Sequence, residues 1–276
     1  MISKEEINRI ARAEGLRFDQ IEKDHVILWI LQALAQPELK PKGWVFKGGT
    51  CLRHCFYSGY RFSEDLDYSC REDSGGLDRA RDLLSDVSVW VQSNAFFRLA
   101  VKEARTIEGD FQVELPVEYS RGGARRHGLP EIKIHLTFDE PILTKPTVRS
   151  VTPLYSDLSA FTVATYTKEE ILAEKMRALL QQQMKWPRPR DLYDLWFILC
   201  HECERFDWER LRDLFNSKCR AREIDPDLTL LVSNELKINN ERAWSAQLDA
   251  VMATVPPFPV VWQDWLAFCK ARLWMK

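Results

Sequence analysis

Phe46-Lys47-Gly48-Gly49-Thr50-Cys51-Leu52-Arg53 and, past a short connector, Arg61-Phe62-Ser63-Glu64-Asp65-Leu66-Asp67-Tyr68-Ser69 form the stretch whose reading decides the fold. Trp44 to Phe46 reads as a short strand, Gly48-Gly49 as a tight turn, and Thr50 to about Tyr57 as a helix that closes at Ser58-Gly59. After the loop Tyr60 to Glu64, residues Asp65 to Ser69 alternate acidic and apolar side chains. That is strand periodicity, so Asp65 and Asp67 share one face and Leu66 and Tyr68 the other. Carboxylates at i and i+2 of a strand lie roughly 7 Å apart along the chain. The spacing suits a hard divalent cation that is bridged by one or two carboxylates to substrate phosphates. An isolated Asp-x-Asp is more often an exposed edge strand. Here, however, a glycine turn stands where a strand hands over to a helix, and backbone N–H groups in that position meet anionic phosphate. Ser63 adds a hydroxyl just before the acids, and Arg61 can offset charge on the same ligand.

Outward from this centre, Ile21, Ile27, Leu28, Leu31 and Leu34 repeat at helical intervals before Pro37 and Pro41, which predicts an opening helix pair. Downstream, the pattern predicts a helix over about Leu77 to Ser93 and three strands near Phe97 to Ile107, Phe111 to Tyr119 and Glu131 to Phe138. Turn residues at Glu108-Gly109-Asp110 and Arg121-Gly122-Gly123 separate the strands. From Lys168 the periodicity becomes helical, broken at Trp186-Pro187-Arg188-Pro189, with later helices near Trp208 to Phe215, Glu241 to Met252 and Val261 to Trp274. The expected class is α+β, a mixed and largely antiparallel sheet with flanking helices, followed by a helical C-terminal half. The expected domains are 1–165 and 166–276.

Composition agrees with a globular chain: of 276 residues, 45% are hydrophobic and 29% charged, which excludes disorder and collagen-like repeats. A net charge of −2 carries no global cationic field, so nucleic-acid binding has to be local. No apolar run reaches the length of a membrane span, and the N-terminus has no apolar secretory core, so a soluble cytoplasmic protein is expected. Seven scattered cysteines point to reduced thiols; Cys200 and Cys203 form a Cys-x-x-Cys without the second pair that a zinc site needs. Arg121, Arg125, Arg126 and His127 form a basic cluster, and Lys185, Arg188 and Arg190 bracket Trp186; both are candidate contacts to an acceptor.

The runs Phe46 to Arg53 and Arg61 to Asp67, with Glu169-Glu170-Ile171-Leu172-Ala173-Glu174-Lys175-Met176-Arg177-Ala178-Leu179 and Arg190-Asp191-Leu192-Tyr193-Asp194-Leu195-Trp196, resemble the signature of AbiEii-type nucleotidyltransferase toxins of type IV toxin–antitoxin and abortive-infection systems. The four motifs stand in that family's order across residues 44–200. The resemblance implies a DNA polymerase β-like nucleotidyltransferase core. Asp65 and Asp67 would bind Mg2+ or Mn2+, and Gly48, Gly49 and Ser63, with Lys47, Thr50 and Arg61 beside them, would grip the NTP. Lys175 would bind triphosphate from the helical half, and Asp191 or Asp194 would complete the site. The implied reaction transfers a nucleoside monophosphate to an acceptor hydroxyl, with tRNA or another RNA as acceptor and a cognate antitoxin as partner.

One position departs from the expected pattern. Such enzymes commonly carry a third carboxylate on a later strand, and there this sequence has His135, sharing a face with Glu131 and Lys133. Three accounts stay open: His135 serves as base or ligand, Glu131 or Glu114 supplies the acid, or no third acid is needed. Two further readings remain beside the RNA-directed enzyme. One is a transferase acting on a small molecule or protein; the other is a non-catalytic relative that only binds nucleotide or RNA. A docking role for the tryptophan-rich C-terminal half, through Trp208, Trp244, Trp262, Trp265 and Trp274, competes with their use as core.

Overall fold

The structure is a computed structural model that describes residues 2–108, 112–120, 128–182, 186–202 and 206–273. The basic cluster Arg121, Arg125, Arg126 and His127, the turn residues Gly109, Asp110, Gly122 and Gly123, and Lys185, Cys203 and Trp274 lie outside the described residues. The chain divides into two compact units, Met1–Tyr166 and Thr167–Lys276.

The first unit opens with α1 (Lys4–Glu14), whose N-terminus is capped by the Ser3 hydroxyl accepting the Glu6 N–H at 3.1 Å and which stops at Gly15 in the left-handed region. Helix α2 (Phe18–Leu34) is not the one-sided helix that its periodicity suggests, because it is buried on nearly every side, Asp24 and His25 included. Polar groups in such a helix need internal partners, and both have them.

Strand β1 (Trp44–Lys47) runs directly into α3 (Gly48–Cys51), which continues through a π turn (Leu52–Phe56) closed by the Tyr57 N–H on the Leu52 carbonyl at 2.9 Å. The helix therefore begins two residues before the expected Thr50. Strand β2 (Asp65–Cys70) follows, then α4 (Gly76–Ala95), β3 (Arg98–Val101), β4 (Arg105–Glu108), β5 (Gln112–Ser120), β6 (Glu131–Thr137), β7 (Thr147–Val151) and β8 (Phe161–Thr165). The eight strands form one mixed sheet in the order β3-β5-β6-β2-β1-β8-β7, with β4 also paired to β5. Only β1/β8 and β2/β6 are parallel among the described pairs, as expected of a largely antiparallel sheet.

The single run expected over Phe97 to Ile107 is two strands. Residues 117–120 of β5 pair with β3, and 112–114 pair with β4. At the junction stands Pro116, which has no N–H to give to a ladder and takes one bond from Lys102 on its carbonyl at 2.8 Å. Strands β7 and β8 were not expected at all. Their Thr- and Ser-rich sequence alternates weakly, and Val148 on the edge strand β7 is 71% exposed.

Sheet register separates the two chemistries of the first unit. Leu66 stands beside Ile134, which stands beside Leu115, and all three are fully buried, each contributing about 1.5–3 kcal/mol relative to exposure. One residue along on each strand, the side chains on the opposite face are charged.

The second unit is helical: α5 (Lys168–Gln182), α6 (Pro189–Glu202), α7 (Trp208–Arg220), a 3-10 turn (Leu228–Val232), α8 (Asn234–Leu248), and α9 (Phe258–Phe268) prolonged by a π turn to Leu273. Pro189 opens α6, where a missing N–H costs nothing. Leu172, Met176, Leu179, Leu192, Leu195 and Phe215 are core. Trp244, Trp262 and Trp265 are buried as well, which favours the core reading of these rings over a docking surface. Lys218 and Glu170, both fully buried and 3.0 Å apart, tie α7 to α5.

Candidate active site

In the first unit a single rung of the sheet crosses five strands with alternating charge. Lys47 of β1 stands opposite Asp67 of β2, Asp67 beside His135 of β6, His135 opposite Glu114 of β5, and Glu114 opposite Arg105 of β4. His135 Nδ1 lies 3.0 Å from Asp67 Oδ1, and its Nε2 lies 3.4 Å from Glu114 Oε2. Glu114 also takes Lys133 Nζ at 3.0 Å and Arg105 at 3.1 Å. Asp65, one rung along, stands beside Lys133.

The glycine turn is built against this rung. A Cβ on Gly48 would fall 2.1 Å from Asp67 Oδ2, and the backbone there has φ +80, so both space and conformation demand glycine. A Cβ on Gly49 would fall 2.7 Å from Ser63 Oγ and 3.0 Å from the Arg61 guanidinium. Thr50 Oγ1 donates to the Asp65 carbonyl at 2.5 Å. Gly48, Gly49, Thr50, Arg61, Ser63, Asp65 and Asp67 are thus one contiguous group. Lys47 is buried beneath it, its ammonium 5.7 Å from the centre of the Tyr166 ring, while the Tyr166 hydroxyl donates to Ser69 Oγ at 2.6 Å. Arg61 is likewise buried and donates to the Phe62 carbonyl at 3.2 Å.

Electrostatics follow from this packing. Burial and the neighbouring Asp67 charge push the Asp65 carboxyl up to about 6. Burial works against a charged His135, but its bond to Asp67 and the charges of Asp67 and Asp65 prevail and raise it to about 9. Glu114 is pulled below its ordinary range by Lys133 and His135 in spite of its burial.

The position at which a third carboxylate was sought belongs to His135, which touches Asp67, and Glu114 stands behind it on the next strand. Glu131 is further away, its nearest ion pair being Arg105 at 3.8 Å. Among the described residues no group of three or more His, Cys, Asp or Glu forms a ready metal cage. A hard cation bound through two carboxylates and substrate phosphate needs none. Burial and the Asp67 charge both disfavour ionised Asp65, and a bound cation would offset both, so this donor set fits a hard divalent cation such as Mg2+ or Mn2+.

The second unit holds the other predicted group. Lys175 Nζ on α5 lies 2.6 Å from Asp191 Oδ1 and 2.8 Å from Asp194 Oδ2, both on α6. Asp191 Oδ2 also takes Arg188 at 3.0 Å. Burial would raise Asp191, but Lys175 and Arg188 outweigh it and hold the carboxyl far below its usual range. Arg188, read from sequence as a candidate acceptor contact, is therefore engaged internally, while Trp186 is 70% exposed. Sequence reasoning passed over Arg105, whose role depends on β4 pairing with β5. The only local signal was an arginine in a strand-like run.

The sequence profile of the family described as Nucleotidyl transferase AbiEii toxin, Type IV TA system matches residues 29–268. No curated protein sequence matches the chain. The solved nucleotidyltransferase toxin MenT4 from Mycobacterium tuberculosis is similar in fold at 19% identity and a TM-score of 0.67, covering 98% of this chain and 90% of its own. JHP933 from Helicobacter pylori is similar at 18% identity and a TM-score of 0.56, covering 92% and 91% respectively. With the glycine turn, the paired aspartates and a profile match over most of its length, the chain belongs to the AbiEii family of nucleotidyltransferase toxins of type IV toxin–antitoxin systems.

Proposed function

We propose that the protein transfers a nucleoside monophosphate from an NTP to the 3′-terminal hydroxyl of tRNA, using a divalent cation held by Asp65 and Asp67. The observation that carries this reading is the fit of Gly48 against Asp67, where a Cβ would lie 2.1 Å from the carboxylate. A turn packed so closely on an acid puts backbone N–H groups next to a cation position, which is the arrangement a triphosphate with its metal requires. Mg2+ or Mn2+ bound there would neutralise charge that develops on the attacking and leaving oxygens.

The chain's own residues supply positioning and electrostatics. Backbone N–H groups at Gly48 and Gly49 and the Ser63 hydroxyl hold phosphate oxygens, with Thr50 fixing the turn to β2. Arg61 and Lys47 add positive charge beneath the turn. His135 is positively charged at neutral pH and balances Asp67 from the side of β6. In the second unit, Lys175, its ammonium oriented by Asp191 and Asp194, is the residue that the motif match assigns to triphosphate. The choice of tRNA follows from the family resemblance, in which a blocked 3′ end halts aminoacylation and growth. An antitoxin encoded beside it would then restrain the activity in the cytoplasm.

The test is incubation with each radiolabelled NTP, Mg2+ and total tRNA, in parallel with tRNA whose 3′ diol has been oxidised by periodate. Label on intact tRNA alone supports the reading. Label on both samples overturns the 3′ end, and NTP consumption with no label on tRNA moves the acceptor to a small molecule or a protein.

A further inference from the structure

The glycine turn and the Ser63–Asp67 run must keep a fixed spacing, because a displacement of about 1 Å in such a site costs on the order of 10² in rate. Thr50 gives one direct tie between them. A second comes from Arg53 on the π turn. One terminal nitrogen of its guanidinium donates to the Tyr60 carbonyl, from which the chain runs straight into Arg61 and Ser63. The other donates to Glu14 Oε2 on α1 at 3.0 Å. Arg53 Nε lies 3.4 Å from Asp24 Oδ1 on α2, and that oxygen also accepts from His54 Nε2 at 3.0 Å. Asp24 Oδ2 accepts from the Tyr155 hydroxyl at 2.6 Å. Arg53, four residues after Gly49, thus ties the helix that follows the glycine turn to the residue just before Arg61, and Asp24 is the countercharge that it shares with His54.

Asp24 is 2% exposed and Arg53 7% exposed. An ionised carboxylate persists in such a place only where its neighbours satisfy it. Burial pushes Asp24 up, yet His54, Arg53 and Tyr155 outweigh burial and hold it well below the carboxylate range. The π turn is part of the device, since its widened backbone carries the consecutive Arg53 and His54 that both reach this one acid. The next residue on α2 meets a different acid: His25 Nε2 lies 2.8 Å from Asp157 Oδ1, and Asp157 takes the Ile2 N–H at 3.1 Å, while the His25 ring packs edge-on against Tyr155 at 4.8 Å between centroids.

We propose that Asp24 is a positioning residue for nucleotidyl transfer: acting through Arg53 and His54, it fixes the Gly48-Gly49-Thr50 turn against the Ser63–Asp67 run so that the triphosphate meets a preset cradle. The inference rests on the reading that this turn and Ser63 grip the NTP.

The test compares KM for NTP, kcat and NTP binding in wild type, Asp24→Asn, Asp24→Glu, Arg53→Lys and Asp157→Asn, each well below its own melting temperature. Asp24→Asn and Arg53→Lys are expected to raise KM roughly tenfold and to change kcat by less than about twofold, because the cradle holds the ground state and transition state alike. Asp24→Glu, which keeps the charge, recovers part of that loss. Asp157→Asn, which disturbs the same helix, lowers the melting temperature and leaves KM at the wild-type value. An unchanged KM in Asp24→Asn, or an equal rise in Asp157→Asn, overturns the proposal. Should Asp24→Asn not fold, Tyr155→Phe removes the hydroxyl that donates to Asp24 at 2.6 Å and to the Ile21 carbonyl at 3.2 Å, and must raise KM in the same direction; no rise overturns it. If wild type itself binds no NTP, the site reading fails and takes this inference with it. If wild type binds and Asp24→Asn binds equally well, only the inference fails.

Discussion

Asp65 and Asp67 on β2, and Asp191 and Asp194 on α6, are two aspartate pairs in opposite electrostatic states. In the first pair, burial and the charge of Asp67 lift Asp65 to about 6. In the second, Lys175 sits within 2.8 Å of both acids, and Asp191 is held far below its ordinary value in spite of burial. The difference is whether the protein supplies its own cation. The α6 pair is already neutralised by an ammonium at direct contact, while on β2 burial and the charge of Asp67 still dominate at Asp65, with His135 and Lys133 nearby. An acid pair left in that state costs stability, and its persistence is what a binding site for an external cation requires.

The contrast predicts opposite signs for charge removal. Lys175→Met should destabilise the protein by about 3 kcal/mol or more in urea unfolding, since it removes the ammonium that two buried carboxylates share. The same group sets an acid limit. The folded-state value of Asp191 is depressed, so its contribution is whole above the unfolded value of about 4 and is lost as pH falls below that. Asp191→Asn and wild type should therefore converge in stability at low pH, and a gap that persists there would break the comparison.

Gly48→Ala should come next in size, lowering kcat/KM by roughly 10²-fold, as the new Cβ displaces Asp67 by an ångström or so. Gly59→Ala is its control: φ is +69 there, but nothing lies within 4 Å of the added carbon. That variant should lose about 1 kcal/mol of stability from the left-handed backbone and keep its rate constants. Equal rates for the two variants would separate the turn from the acids.

The smallest effect is the most diagnostic. Because the folded-state value of Asp65 is raised, the unfolded chain releases its proton first, and stability falls as pH rises from about 4 to about 6. Asp65→Asn removes this cost, so without metal it should be more stable than wild type above pH 6 by about 1–2 kcal/mol, with the gap closing near pH 4. Saturating Mg2+ should stabilise wild type and shrink the gap. A variant less stable than wild type at pH 7 without metal would show that Asp65 is not under repulsion.

The parts of this picture that could be read from sequence are those written in neighbouring residues. The alternation Asp65-Leu66-Asp67-Tyr68 fixed which side chains share a face, and the burial of Leu66 and Tyr68 agrees. Gly48-Gly49 marked a turn that the fold does require. What escaped is set by pairing between distant strands and helices. His135 meets Asp67 because β6 lies parallel to β2, and no local pattern encodes that register. Strand β8 gains its place by parallel pairing to β1 at Phe46 and Thr165, a contact its own sequence does not announce. In sequence, nothing local marks Asp24. Its partners His54 and Tyr155 are 30 and 131 residues away, and only the all-round burial of α2 makes them necessary.

The most direct test of the central claim is Mn2+ binding followed by electron paramagnetic resonance, in wild type and in Asp65→Asn/Asp67→Asn, with and without NTP. The account predicts that without NTP wild type removes the free Mn2+ signal while the folded double variant leaves it in solution, and that with NTP only wild type removes more signal than NTP alone does. A double variant that binds Mn2+ as tightly as wild type would contradict the assignment of Asp65 and Asp67 as the cation-binding pair.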